Sequence, residues 1–128
     1  MSLMLSFASA SETLAFRPMG SVLLAQLETD TLDARTARAL TPQLVAACQR
    51  SLGRLIVSLE AIEAIEPRGI QMLRELGEIS RMLGSTLAVV VPEGNGAGSV
   101  RDAIDATGLG ERVTIAGSLD EASARLAA

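Results

Sequence analysis

The chain of 128 residues contains no histidine, lysine, tryptophan or tyrosine, and only one cysteine. Zinc sites and the common nucleophile–base pairs of enzymes depend on His or on several Cys residues, so these site classes are excluded. A single cysteine cannot form a disulfide within the chain, which fits a reducing compartment, and we expect a cytoplasmic protein. Two phenylalanines are the only aromatic residues, so the core must be aliphatic.

Positive charge is also scarce. The 11 basic residues are all Arg and are scattered along a chain whose net charge is −4, which disfavours a nucleic-acid surface. No apolar run reaches the roughly 20 residues that a membrane-spanning helix needs, so we expect the chain not to be embedded in a membrane. The length fits one domain over residues 1–128, with residues 1–10 as a tag or a disordered start and residues 11–127 as the folded core.

Apolar runs separated by turn residues predict strands at residues 13–16, 21–27, 55–59, 87–91 and 113–115. Helical spacing of apolar residues predicts helices at residues 33–52, 67–83 and 99–107 and from residue 118 onward, with Asp33 or Thr36 capping the first. Pro42 lies inside the first helix, which is predicted either to begin at Thr41 or to be kinked. The alternation of strands and helices predicts an α/β fold with a mixed sheet.

The helix that follows Pro67 is predicted to be amphipathic. Arg74 and Glu78 lie one turn apart and can pair, which would be worth only a few tenths of a kcal/mol. Met82 is expected at the surface, and Cys48 of the first helix in the core. The stripe that faces the sheet is predicted to contain Leu73, Leu76, Ile79 and Leu83.

The segment at residues 55–69 reads LIVSLEAIEAIEPRG: a strand ends at Ser58, and Glu66-Pro67-Arg68-Gly69 then opens the amphipathic helix. This pattern resembles the signature of the STAS domain (sulfate transporter and anti-sigma factor antagonist). In that family a strand ends near an Asp, and Asp-Ser-Ser-Gly follows eight positions later. The resemblance implies a small mixed sheet of about five strands with helices packed mainly on one face. Two further segments resemble the family, Leu32-Asp33-Ala34 and Thr107-Gly108-Leu109.

The resemblance also implies a partner-binding edge formed by Ser58, Glu66, Pro67, Arg68 and Gly69, together with the exposed face of the following helix. The first Ser of the family motif is the usual phosphorylation site, and Pro67 stands at that position without a hydroxyl. Ser58 does carry a hydroxyl. We interpret it as structural, because small polar residues at strand ends commonly bond to nearby backbone.

The function implied is a non-enzymatic protein-interaction module in bacterial transcription regulation, similar to an anti-sigma factor antagonist. Its partner would be an anti-sigma factor or a switch-protein kinase, and no cofactor is expected. Two alternatives stay open: a STAS component of a membrane transport system, acting from the cytoplasmic side, and a small-ligand or nucleotide sensor that uses the glycine-rich loop at residues 93–98. A homodimer is also left open.

Three carboxylates, Glu60, Glu63 and Glu66, are interpreted as a solvated rim and not as a metal or acid/base site.

Overall fold

The computed structural model describes residues 13–91 and 97–127. Seven strands and four helices lie in this part of the chain, with a short 3-10 helix before the last strand. The strands are β1 (Leu14–Met19), β2 (Val22–Leu27), β3 (Thr31–Leu32), β4 (Leu55–Ser58), β5 (Ala64–Ile65), β6 (Ala88–Val90) and β7 (Thr114–Ala116). The helices are α1 (Ala34–Arg50), α2 (Pro67–Met82), α3 (Ala97–Thr107) and α4 (Leu119–Ala127), and the 3-10 helix is Leu109–Glu111.

Five strands form the main sheet in the order β1-β2-β4-β6-β7. Strand β1 is antiparallel to β2, whereas β2, β4, β6 and β7 run parallel to one another. The central strands β4 and β6 are buried throughout, as parallel strands covered on both faces must be. The predicted mixed sheet of about five strands is therefore confirmed. Strands β3 and β5 form a separate parallel pair.

Helices α1, α2 and α3 pack on one face of the main sheet, and α4 packs on the other. The side chains of β4 point alternately to the two faces of the sheet. Leu55 and Val57 belong to the large core shared with α1 to α3. Ile56 points the opposite way, into a smaller cluster that contains Ala122 of α4. The prediction that the helices lie mainly on one face is thus confirmed.

The first hairpin is longer than predicted. Strand β1 continues through Arg17 and Pro18, which were expected to lie in the turn, and Met19 pairs with Val22 across a two-residue loop. Pro18 is tolerated because β1 is an edge strand, where a missing N–H removes no bond to an outer neighbour. Gly20 supplies the left-handed backbone of the loop, with φ +66°.

Helix α1 begins at Ala34 and runs through Pro42, so of the two predicted alternatives the start at Thr41 is wrong. A proline within a helix removes the N–H that would bond to the carbonyl four residues earlier. Side chains on either side of it bond to the neighbouring carbonyls. The Thr41 hydroxyl donates to the Ala37 carbonyl at 2.6 Å, and the Gln43 amide donates to the Ala39 carbonyl at 3.3 Å.

Helix α2 buries Leu73 and Leu76, as predicted, but Leu83 is 39% exposed because the helix ends at Met82 and Leu83 is only its C-cap. The buried position one turn earlier is Ser80, whose hydroxyl donates to the Gly53 carbonyl. Met82 is exposed and Cys48 is fully buried, which confirms both predictions.

Helix α3 begins at Ala97 and so includes the last two residues of the predicted glycine-rich loop. The rest of that loop, residues 93–96, lies outside the described residues. None of the helices described is both long enough and apolar enough to cross a membrane.

Candidate docking surface

The candidate site is built on the parallel pair β3 and β5, in which Leu32 is the register partner of Ile65. Each of these strands leads directly into a helix: Asp33 is the N-cap of α1, and Glu66 is the N-cap of α2. Parallel pairing therefore brings the N-termini of two helices side by side at one edge of the molecule. Both N-cap residues are acidic, which is favourable at the positive end of a helix dipole.

Glu66 connects the two helix starts. Its backbone N–H donates to the Leu32 carbonyl at 3.0 Å, and its side-chain Oε1 accepts from the N–H of Ala34 at 3.4 Å. Asp33 caps its own helix by accepting from the N–H of Thr36 at 2.8 Å. That hydrogen bond is the main reason why the pKa of Asp33 is lowered from its ordinary value of 3.8. Two carboxylates thus accept hydrogen bonds from backbone N–H groups in the first turn of α1.

Three of the five predicted site residues lie together at the surface: Glu66, Pro67 and Arg68 are consecutive and exposed. Pro67 occupies the first helical position, where its missing N–H leaves no hydrogen bond unmade. Gly69 is buried beneath them. A Cβ atom on Gly69 would lie 2.7 Å from Leu32 Cγ and 2.9 Å from the Leu32 carbonyl, so glycine allows α2 to start in direct contact with β3.

Ser58 is placed differently, with only 2% of its surface exposed. It lies two residues beyond Ile56 and so on the α4 side of the sheet, whereas Glu66 to Arg68 open a helix of the opposite face. Its hydroxyl donates to Glu60 Oε1 at 3.2 Å and accepts from the Glu60 N–H at 3.4 Å. These local bonds agree with the structural interpretation of Ser58.

The exposed face of α2 forms a ridge between two grooves. We define the α2 ridge as Arg68, Gln71 and Glu75. The groove toward α1 has a volume of about 290 Å³ and is lined on the α1 side by Ala37, Arg38, Thr41 and Pro42 among others. The groove toward α3 has a volume of about 580 Å³, and Pro67 and Ile70, near the start of α2, are among the residues that line it. The α2 ridge therefore stands between two concave surfaces.

Two long-range contacts of α2 were not predicted. Arg74 donates to the carbonyl of Thr107, the last residue of α3, at 3.0 Å. Glu78 accepts from Arg112 at 3.4 Å in an exposed ion pair, a class usually worth about 0–1 kcal/mol. Arg74 and Glu78, which could have paired with each other, thus each contact another part of the chain. A cation is favourable near the carbonyl end of a helix such as α3, but Arg74 and Thr107 lie 33 residues apart, so no local sequence signal predicts their contact.

Residues 13–91 and 97–127 contain no group of three or more His, Cys, Asp or Glu side chains arranged to hold a metal ion. Glu60 and Glu63 are exposed, like Glu66. The thiol of Cys48 lies in the core, where burial raises its pKa. A thiol with a raised pKa is less ionised at neutral pH and is a poor nucleophile.

Solved structures share this fold. An anti-sigma factor antagonist from Mycobacterium paratuberculosis matches with a TM-score of 0.78 and 24% identity, over 91% of this chain and 94% of that one. The phosphorylated form of the Bacillus cell fate determinant SpoIIAA matches with a TM-score of 0.61 and 15% identity, over 88% of this chain and 97% of that one. The chain therefore has a STAS-like fold, that of anti-sigma factor antagonists.

The same fold also occurs within a membrane protein. The murine anion transporter Slc26a9 matches with a TM-score of 0.68 and 15% identity, over 87% of this chain but only 18% of the transporter. No protein-family model matches the chain, and no curated protein matches it. The fold is thus shown by its similarity to solved structures.

Proposed function

We propose that this chain is a non-enzymatic protein-interaction module of bacterial regulation, of the anti-sigma factor antagonist type. Its docking edge is Glu66, Pro67 and Arg68 together with the α2 ridge. The partner is an anti-sigma factor, of the kind that can itself be a switch-protein kinase. Gly69 supports this edge from below by packing on Leu32, whereas Ser58 lies buried on the other face of the sheet and is not part of the edge. The domain turns over no substrate.

The observation that carries the proposal is the exposure of Glu66, Pro67 and Arg68 as one continuous segment at the start of α2, on a STAS-like fold. A buried segment could contact no partner. The packing of Gly69 on Leu32 supports the same proposal, because it fixes the segment on β3 and limits the conformational entropy that binding would cost. The grooves on both sides of the ridge add concave surface for a partner to fill.

Regulation in this chain would differ from that of the phosphorylated family members. Pro67 carries no hydroxyl, and Ser58 is buried and hydrogen-bonded to Glu60. The local charge is set by Glu66 and Arg68, so binding is constitutive or responds to a signal other than phosphorylation at this position.

The test is an interaction experiment in the native cell with the full chain and with Arg68→Glu. The substitution reverses one exposed charge, and an acidic residue in the first turn of a helix does not weaken the helix. The control is Arg81→Glu, the same charge reversal at an exposed position in the last turn of the same helix. An acidic residue is less favourable there than in the first turn, so a control that still binds shows that charge reversal on α2 is not by itself enough to abolish binding. An anti-sigma factor recovered with the wild-type chain and with the control, but lost with Arg68→Glu, supports the proposal. Equal recovery with Arg68→Glu would refute the docking edge.

A second candidate function is a component of a membrane transport system, acting from the cytoplasmic side. The similarity to one part of Slc26a9 favours it. In the same experiment, recovery of a permease or a transport ATPase in place of an anti-sigma factor would support this candidate. The remaining alternative, a ligand sensor, depends on residues 93–98, most of which lie outside the described residues.

A further inference from the structure

The groove between α2 and α3 differs from the rest of the docking surface in its chemistry. Its lining is mainly apolar, with Ile65, Pro67 and Ile70 on one side and Ala103 and Ala106 on the α3 side. Ala106 is exposed, and the small side chains of α3 leave room between the helices. The groove begins at Pro67 and so is continuous with the proposed docking edge.

The rims of this groove are acidic. Glu75 and Glu78 line it from α2, Glu78 being already paired with Arg112. Asp102 lies on α3 one turn before Ala106, on the same side of that helix, so Glu75 and Asp102 are the acidic groups that face a partner. The one cation in the lining is Arg74, and its guanidinium is held by the Thr107 carbonyl. An apolar floor between acidic rims complements a helix that carries apolar residues on one face and basic residues at its borders.

We infer that the α2–α3 groove binds a basic amphipathic helix of a partner protein. This inference rests on the proposed function for its biological setting and adds the chemistry of the partner. Apolar side chains at helical spacing fill the groove over Ile70 and Ala103. Lys or Arg residues on either side of them face Glu75 and Asp102. The N-terminal segment of this chain does not meet that description, because residues 1–12 include no basic residue.

The test uses the purified full chain and two labelled helical peptides of roughly 18 residues, long enough to form a helix on binding. Both carry the same leucine stripe at i, i+3 and i+7; one has Lys at the bordering positions and the other has Glu. We expect the Lys peptide to bind at least roughly tenfold more tightly, with NMR shift changes at Ile65, Ile70 and Ala103. No binding of either peptide, or equal binding of both, would overturn the inference.

Two variants locate the binding. Ala106→Trp fills the groove and should abolish binding of the Lys peptide. Ala46→Trp places the same side chain on an exposed position of α1 outside both grooves and should leave binding unchanged. The double substitution Glu75→Lys with Asp102→Lys should reverse the preference toward the Glu peptide. If the Lys peptide binds Ala106→Trp as tightly as the wild type, its site is elsewhere and the inference fails.

The outcome is independent of the native-cell experiment on Arg68. If the Lys peptide does not bind but native partner binding is still lost in Arg68→Glu, the inference about the groove is contradicted and the proposed docking edge is supported. If the Lys peptide binds specifically but native partner binding is unchanged in Arg68→Glu, the inference about the groove is supported and the proposed docking edge is contradicted.

Discussion

Glu66 precedes α2 in the chain, yet its carboxylate accepts a hydrogen bond from the backbone N–H of Ala34, the first residue of α1, at 3.4 Å. The residue at the centre of the proposed docking edge therefore also has a structural role. Reversing its charge would disturb both the edge and the start of α1. Binding experiments at Glu66 need a substitution that separates the two effects.

Glu66→Gln is expected to keep the free energy of unfolding within about 0.5 kcal/mol of wild type, because an amide oxygen can still accept from Ala34. Glu66→Lys should lose roughly 0.5–1 kcal/mol, since it removes the acceptor and puts a cation at two helix N-termini. Urea unfolding followed by circular dichroism measures both. Equal stability of the two variants would contradict a capping role for Glu66.

Gly69→Ala should destabilise the fold. The new Cβ would meet Leu32 at 2.7 Å, an overpacking that typically costs about 1–3 kcal/mol and outweighs the gain of up to about 1 kcal/mol in helix propensity. Gly110→Ala is the control, because a Cβ there meets Ile115 at an ordinary 3.6 Å. Denaturant midpoints compare them, and a Gly69→Ala variant as stable as the control would show that α2 can move away from β3.

Leu52→Asn should stabilise the protein by roughly 0.5–1 kcal/mol. Leu52 has a left-handed backbone with φ +56°, which costs leucine about 1–2 kcal/mol but is tolerated by asparagine. Its side chain is 67% exposed, so little packing is lost. Met82→Asn, at an exposed position without positive φ, should change stability by about 0.5 kcal/mol or less. A loss of stability in Leu52→Asn would contradict the assignment of strain to this residue.

Stability should fall as acid protonates two helix-capping carboxylates. The pKa of Asp33 is lowered mainly by the hydrogen bond from Thr36, and the pKa of Glu121 mainly by the hydrogen bond from Gly117. The unfolded chain then binds more protons than the folded chain below the ordinary values of 3.8 and 4.5, so stability rises with pH through this window. The contribution is complete above those values and is lost as pH falls through the lower folded pKa.

Asp33→Asn combined with Glu121→Gln should therefore flatten the dependence of the urea midpoint on pH between about pH 5 and about pH 2. Both replacements keep an oxygen acceptor for the capping hydrogen bonds. A double variant whose midpoint falls with acid as steeply as that of the wild type would assign the effect to other carboxylates.

Protein isolated from its native cell should carry no phosphate at residues 58–69. Ser58 is the only hydroxyl residue in this segment, and a kinase would have to open the end of β4 to reach a side chain that is 2% exposed. Intact-mass measurement and peptide mapping, with and without the proposed partner kinase, test this. Stoichiometric phosphate on Ser58 that changes partner affinity would show that the phosphorylation site has moved rather than vanished.

The strands of the sheet could be predicted because their apolar runs are local. Leu55 to Ser58 reads as a buried strand, and Pro67 and Gly84 delimit α2 by their own backbone preferences. Which face of the sheet a strand residue lies on cannot be predicted from the neighbouring residues alone, because it depends on where the distant helices pack. Ser58 lies on the face covered by α4, and the position of that helix is determined about 60 residues later in the chain.

The candidate site divides in the same way. The segment from Glu66 to Arg68 could be placed at a helix start from its residues alone. The bond from Ala34 to Glu66 depends on the pairing of two short strands separated by 33 positions in the register. The contact between Arg74 and Thr107 likewise depends on where α3 ends. Sequence periodicity describes each helix and leaves out the grooves, which exist only between helices.

The side-by-side starts of α1 and α2 have a consequence for the electrostatic potential around the docking edge. Each helix N-terminus is equivalent to roughly half a positive elementary charge, so the two together offset about one of the neighbouring carboxylates. Asp33 and Glu66 accept hydrogen bonds from backbone N–H groups at the start of α1, so both carboxylates lie close to this positive end. The association rate of a charged partner at this edge should therefore depend less on ionic strength than a count of its acidic residues would suggest.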